Sequence, residues 1–407
     1  MKWITVYGMR KVKYPSDRNQ LEREYLAEFQ NYDLQKLWVP LRDKLRGWST
    51  HTEKDKLYPE NVSDLLVARY DVLVKVYIDY QNIKQKHGNE PDFHKKETDL
   101  ARLFHYSAEK GSTLPVFQPI LAGFFMLHAE AMDLHVCHYC EMAYINTYKE
   151  NSELDDFAHF LKTAKDMDVK RVITNEAGNP VGDRTVTSIM KLQKTYSEDT
   201  IVAEFDNLRC WRNTTPPKSE KLKRRLYRNQ FDLDHFLPKS KCPLVGLSLY
   251  NFVPSCQVCN EKLKKDELLG NGDEGAMLKL SPTSDLYTFD TEMKVQITPT
   301  PMKLKVRNEK DKYHLTFMPA SSVYQKEVEI FHLNTRYDYH RSEAFRLYDL
   351  MTDYPQARIK MLRNDFNGLK TEKEIEEDLF GMHHLKAQHC CFSKMLEDVY
   401  NQHRNEP

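Results

Sequence analysis

The middle of this chain brings together an Asp-His pair and two asparagines in a pattern that could activate water. Asp234 and His235 are adjacent, Asn251 follows after a loop, and Asn260 lies nine positions beyond Asn251. A histidine with a pKa near neutrality can take a proton from water, and carboxylate and amide oxygens suit a hard cation such as Mg²⁺. The spacing therefore predicts water activation beside one divalent metal. For the Asp-His dipeptide alone, an exposed polar pair on a strand is the simpler interpretation.

Cysteines in two CxxC pairs predict a second kind of site. Two such turns can place four thiolates around one tetrahedral Zn²⁺. Eight cysteines among 407 residues do not make a disulfide framework, and no thioredoxin-like pattern surrounds either pair, so structural zinc is favoured over a redox pair. His135 and His138 are alternative ligands. The predicted zinc ligands are Cys137, Cys140, Cys256 and Cys259.

The elements that position these residues can be followed from residue 231 to residue 268. Apolar residues around the Asp-His pair predict a strand, Pro243 and Gly246 predict a loop, and residues 249–253 predict a second strand. A charged helix is expected over 260–268. Asp232 lies two positions before the aspartate of the pair, so on a strand it faces the same side and could either support a metal ligand or act as an additional ligand itself.

This stretch resembles the motif of HNH nucleases, also called the ββα-metal finger, through the phrases DLDHFLPKS and NFVPSCQVCN. In that family the residue matching His235 is the general base, and the residue matching Asn251 braces the loop. The residues matching Asp234 and Asn260 bind one divalent metal, Mg²⁺ or Mn²⁺. The final His of the family motif falls at Lys264 in this chain. The resemblance implies a metal-dependent endonuclease that hydrolyses phosphodiester bonds in DNA.

A looser resemblance lies beyond the motif. The segment 328–341 is similar to the region after the HNH core in bacterial anti-phage nucleases of the retron and Septu type. Such nucleases usually act beside an ATPase, and this chain has no Gly-rich phosphate loop, so the resemblance implies a separate partner, an ATPase or another defence-system regulator, and a role in phage defence. Two alternatives stay open: a zinc-stapled nucleic-acid-binding module without catalysis, and an HNH-type ribonuclease.

Charge predicts only local attraction to nucleic acid. The chain has 60 basic and 60 acidic side chains, so its formal net charge is zero. The segment 218–241 is locally basic and could contact phosphates, although a solvated helix face is the simpler interpretation of a charge run in isolation. The candidate phosphate contacts are Arg224, Arg225, Lys239, Lys264 and Lys265.

Composition and periodicity divide the chain into three regions. Residues 1–134 show helical apolar spacing and predict a scaffold or partner-binding region. Residues 135–275 contain the motif and the CxxC pairs, with an insertion at about 150–215, and residues 276–407 mix strand and helix patterns. The expected fold is α+β: a zinc-stapled ββα-metal core between a helical N-terminal region and a mixed β-hairpin and helical C-terminal region.

The remaining expectations concern two hairpins and the location of the protein in the cell. Alternating apolar residues predict a hairpin over 169–190 in the insertion and another over 286–319, with its turn near 308–312. The first fifteen residues lack a long apolar core and a cleavage site, so we expect no signal peptide. The most apolar stretch, 114–127, is too short to span a bilayer. We therefore expect a soluble, cytoplasmic protein with no membrane partner; the oligomeric state is left open.

Overall fold

The computed structural model describes residues 10–149, 154, 156–175, 179–209, 216–299, 313–381 and 390–405. Helices make up most of this part of the chain, and its strands form three antiparallel sheets of two strands each. The expected mixture of helix and strand is confirmed at this coarse level. Within the described ranges, no helix is both long enough and apolar enough to cross a membrane.

The N-terminal region is helical, as its apolar periodicity predicted. Asp17 and Asp33 cap the first two helices, because each carboxylate accepts a hydrogen bond from a backbone N–H of the first turn, at 3.0 and 3.2 Å. The apolar sides of the N-terminal helices bury large side chains such as Trp38 and Tyr80. The helices are α1 (Arg18–Ala27), α2 (Leu34–Trp48), α3 (Lys54–Leu57), α4 (Val62–Leu66), α5 (Tyr70–His87), α6 (Pro91–Leu103) and α7 (Gln118–Leu127).

A helical insertion interrupts the chain between two short strands. Strand β1 (Thr147–Lys149) pairs antiparallel with β2 (Tyr227–Asn229), so the insertion leaves and rejoins the fold at one place. Its helices bury a hydrophobic core of their own, separate from the main core. They are α8 (Phe157–Thr163), α9 (Asp166–Val172), α10 (Asp183–Thr195), α11 (Glu198–Asp206) and α12 (Lys218–Leu226).

The hairpin predicted over residues 169–190 is wrong, because the described residues of this stretch lie mainly in helices α9 and α10. Val169 and Val172 are both buried, and so are Val186 and Ile189. Each pair is three residues apart, which is the spacing of one helix face. The apolar residues of these two runs therefore follow the helical period, whereas the sequence interpretation assigned them the alternating period of strands.

The second sheet carries the Asp-His pair. Strand β3 (Asp232–His235) pairs antiparallel with β4 (Phe252–Ser255), and the loop between them contains two single turns of 3₁₀-helix. A π-helix (Val258–Lys264) follows β4 and ends where Lys265 adopts a left-handed φ of 48°. The order strand, loop, strand and helix is therefore the one that the sequence predicted for this stretch.

The C-terminal region packs a hairpin against helices. Strand β5 (Met293–Pro299) pairs antiparallel with β6 (Tyr313–Pro319), and the turn predicted near 308–312 lies outside the described residues. The last helix holds β5, because the Asp398 carboxylate accepts the Val295 N–H at 2.8 Å. The helices are α13 (Glu274–Leu280), α14 (Phe289–Glu292), α15 (Gln325–Ile330), α16 (Leu333–Tyr339), α17 (Arg341–Asp353), α18 (Gln356–Asp365), α19 (Glu372–Phe380) and α20 (Ser393–Asn405).

One hydrophobic core joins the N-terminal helices, the central strands and the C-terminal region. The Tyr25 hydroxyl of α1 donates to the Leu247 carbonyl oxygen in the β3–β4 loop at 2.8 Å. From the C-terminal region, the Phe331 ring stacks on Tyr139 with centroids 4.6 Å apart. Both flanking regions therefore contact the segments that carry the predicted chemistry.

Candidate functional site

The four predicted zinc ligands meet inside the protein. The sulfur atoms of Cys137, Cys140, Cys256 and Cys259 all lie within 4.8 Å of one another, and those of Cys140 and Cys256 are 4.0 Å apart. All four side chains are buried, and all four thiols are free of disulfides. Thiolates bound at about 2.3 Å to a tetrahedral Zn²⁺ have sulfur atoms roughly 3.8 Å apart. This cysteine cluster could therefore hold zinc.

Hydrogen bonds to sulfur fit the same conclusion. The Met142 N–H donates to Cys140 Sγ at 3.4 Å, and the Arg336 guanidinium donates to Cys259 Sγ at 3.5 Å. Glu141 adopts a left-handed φ of 52° directly after Cys140, which turns the backbone back over the sulfur. Donors of this kind stabilise thiolate charge, and thiolate is the form that binds zinc.

The two histidines near the cluster are engaged elsewhere. His138 is buried, and its Nδ1 lies 2.7 Å from the Arg10 carbonyl oxygen. The Nε2 atom of His135 lies 3.3 Å from a carboxylate oxygen of Asp133. Within the described ranges, only the cysteine cluster brings three or more His, Cys, Asp or Glu side chains close enough to share a metal. The structure therefore favours the all-cysteine ligand set.

His235 sits at the end of β3 with its ring fixed. The ring packs between Tyr106 and Phe252, with centroids 4.9 and 4.8 Å away, and Nε2 lies 2.9 Å from the Gly246 carbonyl oxygen. A carbonyl only accepts, so Nε2 carries the proton and Nδ1 is the acceptor of the neutral ring. Burial, reinforced by the charge of Lys239, lowers the pKa of His235 well below its usual value. The ring is therefore neutral at physiological pH.

Asn251 is fully buried and ties the two ends of the β3–β4 loop together. Its Oδ1 accepts the Leu237 N–H at 2.8 Å. Its Nδ2 donates to the carbonyl oxygens of Leu237 and Val245, both at 3.0 Å. Since Gly246 follows Val245, these bonds also hold the carbonyl group that contacts the His235 ring.

Asp234 is held by two buried donors. The Tyr139 hydroxyl donates to its Oδ2 at 2.5 Å, and the Lys264 ammonium lies 2.9 Å from the same oxygen and 3.2 Å from Oδ1. The Lys264 side chain exposes 0% of its surface and that of Asp234 exposes 3%. A divalent cation on these oxygens would share them with an ammonium group. As placed, Asp234 does not fit the predicted role of Mg²⁺ or Mn²⁺ ligand.

Asn260 and Asp232 meet at the edge of a cleft. Asn260 lies on the π-helix, and both side chains line the cleft. Burial raises the pKa of Asp232, and the nearby Asn260 amide opposes the shift. Asn260 therefore lies beside Asp232, which the sequence interpretation treated as an accessory residue.

The three candidate lysines have different surroundings. Lys239 and Lys265 line the cleft, and the Lys239 ammonium lies 4.7 Å from the centre of the Tyr106 ring. Burial lowers the pKa of Lys239. Lys264 is enclosed beside Asp234, so its predicted phosphate contact does not fit its burial; its ammonium is used inside the protein.

The two candidate arginines make contacts within the protein. Arg224 pairs with both carboxylate oxygens of Glu28, and its Nη1 lies 2.8 Å from one of them. Arg225 donates to the Thr174 carbonyl oxygen at 3.1 Å. Both residues lie on α12 of the insertion. The Arg224 pair joins the insertion to the end of α1, and the Arg225 bond joins α12 to a loop within the insertion. Neither side chain lines the cleft.

The cleft consists of two adjacent cavities that share several wall residues, with volumes of about 620 and 400 Å³. The smaller cavity contains the Asp234-His235 pair and is called the catalytic cavity below. The larger one lies beside Asp232 and is called the amide pocket. Tyr106 and Gln118, from the N-terminal region, line both. Sequence reasoning missed these two residues because no motif marks them.

In comparisons with known proteins, no family model, no curated protein and no solved structure matches this chain. The HNH resemblance therefore depends on the motif residues themselves and on their surroundings.

Proposed function

We propose that this chain hydrolyses phosphodiester bonds of nucleic acid, with DNA as the first candidate and His235 as the general base. The observation that carries the proposal is the contact between His235 Nε2 and the Gly246 carbonyl oxygen. It fixes the tautomer in which Nδ1 accepts a proton, and the lowered pKa keeps that atom unprotonated before the reaction. A general base placed in this way typically contributes roughly 100- to 10,000-fold in rate.

The surrounding residues position the base. Asn251 holds the loop next to Gly246, and the rings of Tyr106 and Phe252 restrict the imidazole from two directions. A water at Nδ1 would transfer a proton to the ring as its oxygen attacks phosphorus. The phosphorus–oxygen bond to the leaving nucleotide would break, that oxygen would take a proton from surrounding water, and the imidazolium would return its proton to solvent. Asn251 and Tyr106 act through His235, so they are positioning residues.

Positive charge for the phosphodiester comes from two lysines of the catalytic cavity, Lys239 and Lys265. Each can offset the charge of a bound phosphate, and the partly buried Lys239 does so in a less polar setting, where the interaction is stronger. The family's divalent metal has no step in this proposal, because the Lys264 ammonium already neutralises Asp234.

The test is cleavage of plasmid DNA and of a structured RNA by zinc-loaded wild type and His235→Ala, each with Mg²⁺, with Mn²⁺ and with neither. The variant should lose activity by at least about 100-fold, the lower range expected for a general base. His159→Ala is the matched control, since this exposed histidine lies on α8 of the insertion. If His235→Ala cleaves as fast as wild type, His235 is not the base.

One observation favours a second candidate, a zinc-stapled nucleic-acid-binding module without catalysis. Lys264 neutralises Asp234, the carboxylate that would hold the family's metal. A protein that binds nucleic acid without cleaving it does not need that metal. Nucleic acid that binds wild type and His235→Ala equally, without cleavage under any metal condition, would support this candidate over the hydrolase.

A further inference from the structure

The amide pocket has a lining unlike that of a phosphate site. Its polar wall consists largely of carboxamide side chains, and its apolar wall includes Tyr106, Phe231 and Leu233. A carboxamide offers both a donor and an acceptor, which is the mixture that nucleobase edges also present. The carboxamide residues are Gln118, Asn229, Gln230, Gln257 and Asn260.

The amide pocket differs from the catalytic cavity in its charges. Among the described residues, the charged side chains that line the amide pocket are Asp232 and Glu261, both acidic. The catalytic cavity next to it has Lys239 and Lys265 beside the carboxylates of Asp234, Glu261 and Asp266. A phosphate would therefore meet cationic side chains only in the catalytic cavity, and the amide pocket is better suited to a neutral base.

Asp232 supplies a hydrogen-bond acceptor to the amide pocket. Its side chain lines the pocket and is partly exposed, so the carboxylate can accept from a donor on a ligand there. The exocyclic amino group of cytosine is a donor that Asp and Glu side chains accept in nucleic-acid recognition.

We propose that the amide pocket binds one unstacked nucleobase that carries an exocyclic amino group, with cytosine favoured, next to the phosphodiester held beside His235. The placement of the phosphodiester beside His235 rests on the proposed function. A base inside a duplex is stacked on both faces and paired along its Watson–Crick edge, so a pocket of this kind selects a single strand or an extruded nucleotide. The Tyr106 ring lines the amide pocket and also packs against the His235 ring.

Binding can be measured without cleavage, which separates this proposal from the proposed function. Fluorescence anisotropy with zinc-loaded His235→Ala protein would compare oligo(dC), oligo(dT) and a duplex of the same length. Oligo(dC) should bind about tenfold or more tightly than oligo(dT), as one good contact to a base edge gives. The single strand should bind more tightly than the duplex.

Asp232→Asn, made in the same protein, should reduce the preference for oligo(dC) to about twofold or less. Asp266→Asn is the matched control, because Asp266 is an exposed carboxylate of the catalytic cavity and the change in charge is the same. Gln257→Ala gives a second variant on the pocket wall and should weaken oligo(dC) more than oligo(dT). Equal binding of the two oligonucleotides, tighter binding of the duplex, or a preference retained by Asp232→Asn would overturn the proposal.

Discussion

Replacing Lys264 by methionine is expected to destabilise the protein far more than the same change at Lys265, its neighbour. The Lys264 ammonium is buried and contacts the Asp234 carboxylate and the His235 carbonyl oxygen, each at 2.9 Å. Methionine keeps much of the side-chain volume but removes the charge. Asp234 would then remain buried with the Tyr139 hydroxyl as its one remaining donor among those described.

The expected magnitude follows from the geometry. At an effective dielectric constant of about 20, unit charges 2.9 Å apart attract each other by about 6 kcal/mol. Relaxation offsets part of this, and breaking a buried pair by removing one partner costs about 3–5 kcal/mol in other proteins. We expect that loss of unfolding free energy for Lys264→Met. Lys265 is exposed, so its replacement should change stability by about 0.5 kcal/mol or less.

The measurement is urea unfolding of zinc-loaded protein, followed by tryptophan fluorescence. The double variant Asp234→Asn/Lys264→Met leaves no buried charge at this place, so it should regain most of the loss. Together with the two single variants it forms a double-mutant cycle that isolates the pair. A loss below about 1 kcal/mol for Lys264→Met, or a double variant no more stable than that single variant, would refute the assignment of a buried ion pair.

Three further outcomes are expected. Mn²⁺ should raise the unfolding midpoint of Lys264→Met but not that of wild type, because the ammonium and the cation need the same oxygens; equal shifts would contradict this. Cys259→Ser should lose bound zinc in elemental analysis and become sensitive to protease, whereas Cys242→Ser, outside the cluster, should retain it. Burial raises the pKa of Glu327 to about 8, so the unfolding free energy should fall as pH rises from about 4.5 to about 8. Glu327→Gln should reduce that fall, and a pH profile unchanged in this variant would argue against the raised pKa of Glu327 as its cause.

The parts of the site that the sequence could predict are those set by short, regular spacing. Two CxxC turns identified the cysteine cluster, because the pairs are local and thiolates have few other uses in such a turn. The strand, loop, strand and helix order followed from apolar runs and from Pro243 and Gly246. The aliphatic spacing of the N-terminal region likewise predicted helices.

The contacts that decide the chemistry could not be predicted, because they join residues far apart in the chain. Tyr139 reaches Asp234 across 95 positions, and Tyr106 comes to His235 from a region with no catalytic motif. Lys264 was predicted as a phosphate contact, but lysines are rarely fully buried and this one is an exception. It is the last residue of the π-helix, and its ammonium contacts the His235 carbonyl oxygen of β3.

The two halves of the candidate site are mechanically linked through the cysteine cluster. Tyr139 lies between Cys137 and Cys140, and its hydroxyl holds Asp234 on β3. Asn260 directly follows Cys259 and lines the cleft together with the carboxylate of Asp232. A zinc ion on the four thiols would therefore fix, through two different neighbours, both the strand that ends in the histidine and the helix that borders the cleft. If zinc occupies this cluster, we expect binding of oligo(dC) to fail when zinc is removed, before the insertion, with its separate core, unfolds.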